Sequence, residues 1–267
     1  IRDYDRLNYA CENVDIIIHT AALKHVVIAE YNPMEFVETN IKGSHNVIKA
    51  AIHNRVKKTI LLSTDKAVNP VNHYGSTKLA AEKLFVAANN TVGNKECYFS
   101  IVRYGNVIAS RGSVLEKFLL LNKRKNPTFT ITHRDMSRFW ISLEDATRFV
   151  WMSLARMKGG EIFIPKIPSI RIIDLAKSFG NIKYYFTSIR PGEKIHEILV
   201  PLENSLNTIE FRDHYVIIPE FSYGKKINFL RNSLNEQGKK CKKPFEYNSF
   251  NNKKFLTVRQ IKQMNSK

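Results

Sequence analysis

Two neighbouring polar stretches hold the residue types that a proton-moving site needs: Ser63-Thr64-Asp65-Lys66 and Tyr74-Gly75-Ser76-Thr77-Lys78. Tyr74 and Lys78 stand four apart, so on a helix they share one face, one turn apart. A cation held beside a phenol favours the phenolate and lowers its pKa from about 10 toward neutrality. Tyr74 would then serve as base for a hydroxyl undergoing oxidation. Tyr-x-x-x-Lys alone arises by chance in many chains, usually as a surface helix pair. The context lifts it here. The apolar run Lys58-Thr59-Ile60-Leu61-Leu62-Ser63 reads as a strand, and polar residues at the carboxyl end of a strand sit where open α/β sheets bind ligands.

The surrounding elements fit that placement. Val14 to His19 is a short, β-branched, continuous run and reads as a buried strand. Asn32-Pro33 punctuates, Glu35 to Asn54 has helical spacing, Tyr74 to Asn89 is a second helix and Cys97 to Tyr104 a third strand. Alternation at this spacing predicts a parallel sheet covered on both faces. Beyond residue 112 the pattern breaks into short elements: helices at Val114–Lys125, Leu143–Met157 and Ile172–Phe179, strands at Ile162–Ile164 and Val216–Ile218. The expected organisation is therefore a sheet part over 1–112, mainly a substrate lobe with some return to the sheet over 113–223, and a basic segment over 224–267. Thr257–Met264 would close it as a helix.

Composition excludes several classes. The 267 residues are 43% hydrophobic, enough to bury a sizeable core, so disorder falls. Three scattered cysteines exclude a disulfide framework or a Cys-rich metal module and fit a reducing cytoplasm. His19, His25 and His196 lack metal-ligand spacing and read as structural, so no metal is expected. No apolar run approaches the ~18 residues of a membrane span, and no signal peptide is expected before Ile1. The net charge is +18, and residues 221–267 carry twelve Lys/Arg against two acids, or +10 of it. A solvated surface is the expected meaning of that tail, with no nucleic acid partner.

Further stretches follow in order: Ala21-Ala22-Leu23-Lys24-His25-Val26, Ala29-Glu30-Tyr31-Asn32-Pro33, Val102-Arg103-Tyr104-Gly105-Asn106-Val107, Ser110-Arg111-Gly112-Ser113-Val114 and Arg138-Phe139-Trp140-Ile141. Gly159-Gly160-Glu161-Ile162-Phe163, Arg190-Pro191-Gly192-Glu193-Lys194 and Phe245-Glu246-Tyr247-Asn248-Ser249 complete the set. Through them the chain resembles an extended short-chain dehydrogenase/reductase acting on nucleotide sugars. Within that superfamily it resembles the inverting UDP-N-acetylglucosamine 4,6-dehydratases of pseudaminic acid biosynthesis, from Arg2-Asp3 to Val258. The implied fold is α/β: a Rossmann-like doubly wound parallel sheet without its N-terminal strands, plus a smaller mixed α/β substrate lobe. One departure is large. None of the eleven glycines forms the strand-to-helix turn that cradles a cofactor pyrophosphate. The expectation is that roughly two βα units of ~30 residues each precede Ile1 in the family, that a sheet edge is exposed, and that the activity belongs to the complete protein.

The resemblance implies a lyase that uses NADP, with NAD the alternative, on a UDP-sugar. Hydride leaves C4, and the resulting ketone acidifies the C5 proton. A base removes that proton, an acid protonates the departing 6-hydroxyl, and hydride returns to C6. Reprotonation on the opposite face inverts C5. By the resemblance Tyr74 oxidises the 4-hydroxyl, Lys78 anchors the nicotinamide ribose, Thr64 hydrogen-bonds the developing ketone, Lys66 is the C5 base and Asp65 the acid. Ala21, Ala22 and Lys24 would join Tyr74 and Lys78 at the cofactor. Lys24, Asn106, Val107, Arg111, Arg138, Arg190 and Glu193 would contact the substrate. Arg103 reads instead as a structural ion pair. A lysine base must be neutral, so the pKa of Lys66 must fall from about 10.4, with Lys78 a candidate cation to lower it, and Asp65 must be protonated.

Retaining relatives resemble Thr-Asp-Glu at this place, so Asp65-Lys66 favours the inverting branch. Membrane-anchored relatives carry Met where Tyr74 stands, which favours the soluble enzyme, and the resemblance implies the family's cytoplasmic, homo-oligomeric form. The alternatives are a related nucleotide-sugar epimerase, a retaining 4,6-dehydratase, or a cofactor-less remnant that binds anions or nucleic acid through residues 225–254.

Overall fold

The computed structural model describes residues 1–221 and 227–265. Its first half alternates as the spacing predicts: α1 (Tyr4–Ala10), β1 (Ile16–His19), α2 (Val26–Tyr31), α3 (Pro33–Phe36), α4 (Gly43–His53), β2 (Lys58–Thr64), α5 (His73–Ala88) and β3 (Tyr98–Tyr104). Pro33 opens α3, where its missing N–H costs nothing, and a π-helical turn at Val37–Lys42 carries α3 into α4. Asn72 caps α5 by accepting from the Gly75 amide. β1, β2 and β3 pair in parallel, with β2 and β3 in unbroken register from Lys58↔Tyr98 to Thr64↔Tyr104. Both faces are covered, which is why these strands read as continuous apolar runs. On one face Val47, Ile48 and Ala51 of α4 and Ala81, Phe85 and Ala88 of α5 pack on Leu61, Phe99 and Ile101. Each fully buried phenylalanine there contributes roughly 1.5–3 kcal/mol.

The second half adds β4 (Asn106–Val107), α6 (Val114–Asn122), β5 (Thr128–Ile131), β6 (Ser137–Ile141), α7 (Leu143–Arg156), β7 (Ile162–Pro165), β8 (Ser169–Arg171) and α8 (Ile172–Lys177). After these come β9 (Lys183–Phe186), β10 (Ile198–Val200), β11 (Thr208–Glu210), β12 (His214–Ile217), β13 (Lys239–Lys240), β14 (Tyr247–Asn248) and α9 (Val258–Asn265). The central sheet runs β1-β2-β3-β7-β12-β11-β13, parallel as far as β7 and antiparallel beyond it. Phe149, Val150 and Leu154 of α7 cover its second face over Ile60, Val102 and Phe163. Three small sheets, β4-β6-β8, β5-β9 and β10-β14, lie outside it. A separate core holds Phe118 stacked on Phe129 at 4.1 Å, with Leu175 of α8 and Ile261 of α9. No helix among the described residues is long and apolar enough to cross a membrane.

The basic C-terminal segment is built into the fold. β13 edges the central sheet, β14 pairs with β10, and the Tyr247 hydroxyl donates to Ile167 O while accepting from Ile167 N, both at 3.0 Å. Two-residue strands have no period, so the sequence carries no trace of them. The expected start of this segment at 224, with Lys225, Lys226 and Lys267, lies outside the described residues.

Candidate active site

β2 ends at Thr64, and the chain turns through one tight helical turn, Asp65–Ala67, before α5. Thr64 caps that turn: its hydroxyl accepts from Lys66 N at 3.3 Å and donates to Asp65 Oδ1 at 3.0 Å. α5 leans directly onto the turn. A Cβ on Gly75 would stand 2.2 Å from Lys66 O, so only glycine lets Tyr74 approach this closely. Gly105 closes the other side, where a Cβ would meet Phe139 at 2.4 Å and Asp65 Oδ2 at 3.3 Å. The lobe supplies a third wall. Lys194 Nζ donates to Val68 O and Asn72 Nδ2 donates to Gly192 O, which strap residues 190–197 across the turn.

The strap brings in an acid that the spacing did not reveal, Glu197. Lys66 Nζ donates to Asp65 Oδ1 at 3.0 Å and lies 3.2 Å from Glu197 Oε1, so one ammonium bridges two carboxylates. Asp65 is wholly buried and Glu197 is 2% exposed, and neither Asp65 Oδ2 nor Glu197 Oε2 has a partner among the described residues. Burial therefore raises the pKa of Asp65, Lys66 opposes the rise, and the charge of Glu197 adds to it. Burial would raise Glu197 too, but the charges of Lys66, Arg138 and Lys194 outweigh it and hold Glu197 ionised. For Lys66 burial works against the charge, yet the two carboxylates win and lift its pKa above the ordinary lysine range. This corrects the expectation of a depressed Lys66. Lys78 takes no part, because its Nζ donates to Leu62 O at 2.7 Å.

Tyr74 departs in the same way. Its buried ring sits beside Lys66, Asp65 and Thr64, and burial, eased by Lys66 and reinforced by Asp65, pushes its pKa up to about 12. The expected lowering by Lys78 does not occur, since that ammonium is committed to the β2 carbonyl. Burial lowers Lys78 itself to about 8, against the pull of Glu82. Glu82 is fixed by Arg103 through two hydrogen bonds of 3.0 and 2.6 Å, so Arg103 is a structural ion pair.

The remaining candidates divide. Lys24, in the loop after β1, comes close enough to Lys66 for that charge to add to the lowering that burial imposes on it. Ala21 and Ala22 lie in the same loop, whose Leu23 is held through both its N–H and C=O by Asn40, each at 2.9 Å. Asn40, 1% exposed, also donates to Thr77 Oγ1 and so pins the loop to α5. It sits in the π-helical turn, where only the break in helical phase could have drawn attention to it. Asn106 follows Gly105, and its buried Oδ1 has no partner among the described residues. Val107 pairs with Ile141. Arg111 and Arg190 are exposed. Arg138 donates to Ser137 O, Ile195 O and Lys194 O and sits 3.7 Å from Glu197. Glu193 Oε2 accepts from Arg190 N, and its Oε1 lies 4.0 Å from Arg138.

A nicotinamide ribose fits this donor set at one end. Lys78 Nζ has one hydrogen-bonded partner among the described residues, Leu62 O, which leaves donors for a ribose diol, and Tyr74 stands one turn away. The glycine-rich cradle for a pyrophosphate is absent from the described residues, so the fit is to the ribose end alone.

The family model for polysaccharide biosynthesis proteins matches residues 1–219. The chain is 51% identical over 263 residues to the UDP-N-acetylglucosamine 4,6-dehydratase (inverting) of Campylobacter jejuni subsp. jejuni serotype O:2, covering 98% of this chain and 79% of that protein. It is 37% identical over 269 residues to the UDP-glucose 4-epimerase of Rickettsia conorii, covering 99% of this chain and 77% of that one. Among solved structures it resembles Pen from Bacillus thuringiensis, with a TM-score of 0.85 at 38% identity over 98% of this chain and 78% of that one. A dTDP-glucose 4,6-dehydratase from Streptomyces venezuelae, solved with NAD bound, shares the fold at a TM-score of 0.65 and 21% identity, over 73% of this chain and 67% of that one.

Proposed function

The chain belongs to the polysaccharide biosynthesis protein family and is an enzyme of its dehydratase branch, and from that premise we propose that it removes water across C5 and C6 of UDP-N-acetylglucosamine with inversion at C5. The product would be a UDP-4-keto-6-deoxy-L-arabino-hexose. The observation that carries the reading is the Lys66 ammonium 3.0 Å from Asp65 Oδ1 beside the Tyr74 ring. A C4 epimerase needs only a hydroxyl base and a carbonyl donor, which Tyr74 and Thr64 supply. An acid–base pair has no task there, whereas a dehydratase needs one to take the C5 proton and another to release the 6-hydroxyl. The Rickettsia relative keeps the epimerase as second reading, and Glu in place of Lys66 would have favoured retention.

A nicotinamide cofactor, NADP with NAD the alternative, supplies the hydride acceptor and donor when bound, held by Lys78, Tyr74, Ala21, Ala22 and Lys24. Tyr74 takes the proton of the 4-hydroxyl only after losing its own, a step that its pKa of about 12 makes easier as pH rises, and Thr64 turns its hydroxyl from Asp65 Oδ1 to donate to the oxygen that becomes a carbonyl. Asp65 and Lys66 rest as carboxylate and ammonium, the inverse of what the chemistry asks. One proton passing from Lys66 Nζ to Asp65 Oδ1 along their 3.0 Å contact converts them to amine and acid without changing the net charge. Lys66 then accepts the C5 proton and Asp65 gives its own to the leaving hydroxyl.

Residues 1–112 would hold the cofactor and, through Lys24, Asn106, Val107 and Arg111, part of the nucleotide sugar, 113–223 would hold the rest of it through Arg138, Arg190 and Glu193, and residues 227–265 would brace the lobe. The same reading takes the enzyme as a cytoplasmic homo-oligomer that feeds pseudaminic acid synthesis. The test is to incubate the cofactor-loaded enzyme with UDP-N-acetylglucosamine in deuterated water and follow the sugar by proton NMR. A 4-keto-6-deoxy product with deuterium at an inverted C5 is expected. Retention at C5, or a C4 epimer that keeps its 6-hydroxyl, overturns the reading.

A further inference from the structure

We infer that Glu197 is the positioning residue of this site: its carboxylate holds Lys66 against Asp65 and sets the charge under which that pair exchanges its proton. The inference rests on the proposed roles of Asp65 and Lys66. Its geometry is independent of them. Glu197 is delivered by the 190–197 strap and clamped by a segment far along the chain. Its N–H donates to Ser249 Oγ at 2.9 Å, and Ser249 N donates back to Glu197 O at 2.8 Å. Ser249 Oγ also lies 2.7 Å from Ser137 Oγ, which in turn lies 2.8 Å from His196 Nδ1. The Phe245–Ser249 stretch, besides pairing β14 with β10, thus fixes the backbone of Glu197.

The side chain is aimed as tightly. Oε1 faces Lys66 Nζ at 3.2 Å and Arg138 Nε at 3.7 Å, while Oε2 is buried without a partner among the described residues. Arg138 cannot swing away, because Ser137, Lys194 and Ile195 carbonyls hold its guanidinium. The charged groups packed around Glu197 are Asp65 and Lys66 from the turn after β2, Arg138 from β6, and Glu193 and Lys194 from the strap. Tyr74 and Lys24 face Lys66 from α5 and from the loop after β1. A fully ionised carboxylate in this cluster stabilises every protonated form of the Asp65–Lys66 pair. Removing its charge while keeping its shape therefore moves both proton affinities of the pair downward together.

Glu197→Gln makes that change, since its amide oxygen still accepts from Lys66. Two readouts test it. In the cofactor-loaded enzyme, the pH profile of deuterium incorporation at C5 is expected to move as a whole toward acid by about one pH unit or more. In the protein without substrate, the pH midpoint for acylation of Lys66, read by peptide mass spectrometry, is expected to fall likewise. Glu197→Asp keeps the charge but withdraws it by one methylene, so it shifts the midpoint in the same direction by less and serves if the Gln variant does not fold. A loss of rate by one factor at every pH, with the Lys66 midpoint unmoved, would make Glu197 a mere strap anchor and overturn the inference. If the wild type exchanges nothing at C5 while the midpoint still falls, the dehydratase reading fails and the control of Lys66 by Glu197 stands.

Discussion

Replacing Lys66 by Met tests the charge arrangement most directly. The substitution removes an ammonium that bridges Asp65 Oδ1 at 3.0 Å and Glu197 Oε1 at 3.2 Å and leaves two buried carboxyls facing each other. Breaking a buried ion pair from one side costs about 3–5 kcal/mol, which for a chain of this size lowers Tm by about 6–20 °C. The loss should depend on pH in a fixed direction. Without Lys66 the pKa of Asp65 rises further, because burial and the charge of Glu197 remain while the opposing cation is gone. A carboxyl whose folded pKa exceeds its unfolded value of about 3.9 binds more protons folded than unfolded, so its penalty grows as pH rises through that interval and is absent below it. The Tm difference from wild type should be large at pH 8 and much smaller near pH 5. A second substitution, Asp65→Asn, should return part of the lost stability at pH 8. Thermal denaturation of the wild type, Lys66→Met and the double variant at the two pH values reads all of this. A Lys66→Met variant as stable as wild type at pH 8, or one whose loss ignores both pH and Asp65→Asn, refutes the bridged arrangement.

Three further outcomes follow from other contacts. Gly75→Ala places a methyl 2.2 Å from Lys66 O, on backbone that cannot yield, so α5 must shift; overpacking of this kind costs about 1–3 kcal/mol, and deuterium incorporation at C5 should fall at least about tenfold while circular dichroism stays native. Lys78→Met should stop turnover yet raise stability below pH 8. A lysine whose pKa falls to about 8 on folding carries a penalty that is full below that value and relieved as pH climbs toward 10.5, so the gain of about 1–3 kcal/mol should vanish near pH 10.5 in denaturation experiments. Asn40→Ala removes three hydrogen bonds of a buried side chain, two to Leu23 and one to Thr77, and should cost about 2–3 kcal/mol. Hydrogen exchange at the Leu23 amide should rise with it, and unchanged protection there would show that the loop is held by other contacts.

Much of the fold was legible because both faces of the parallel strands are buried. Such strands write themselves as short β-branched runs, and β1, β2 and β3 begin or end within two residues of the expected positions. Tyr74, Lys78 and the Thr64–Lys66 turn were legible because they are neighbours along one strand–turn–helix unit. What was hidden is what other segments bring to that unit. Glu197 arrives on the strap from the lobe, held by Ser249 from the C-terminal segment, and no spacing rule connects either to Lys66. The protonation expectations failed for the same reason. Lys78 was a plausible partner for Tyr74 on a helical wheel, but the carbonyl of Leu62 claims its ammonium, and the carboxylate that does govern Lys66 lies beyond the reach of local pattern.

The placement of charge around the pair bears on what the cleft accepts. Asp65, Glu197 and Glu193 face Lys66, Arg138 and Lys194, and Glu116 faces Lys24, so the charges packed around the pair balance when every carboxyl is ionised. If Asp65 holds the proton that Lys66 gives up, that balance is unchanged, because the transfer is internal. Arg111 and Arg190 stand exposed at the margin without ion pairs among the described residues. A balanced interior with exposed guanidiniums suits a substrate whose diphosphate stays anionic throughout, with the reacting sugar as its neutral part. The net charge of the chain says little about this, since +10 of its +18 belongs to residues 221–267. On the proposed reading, Arg111 and Arg190 are the cations that would distinguish a nucleotide sugar from a free one.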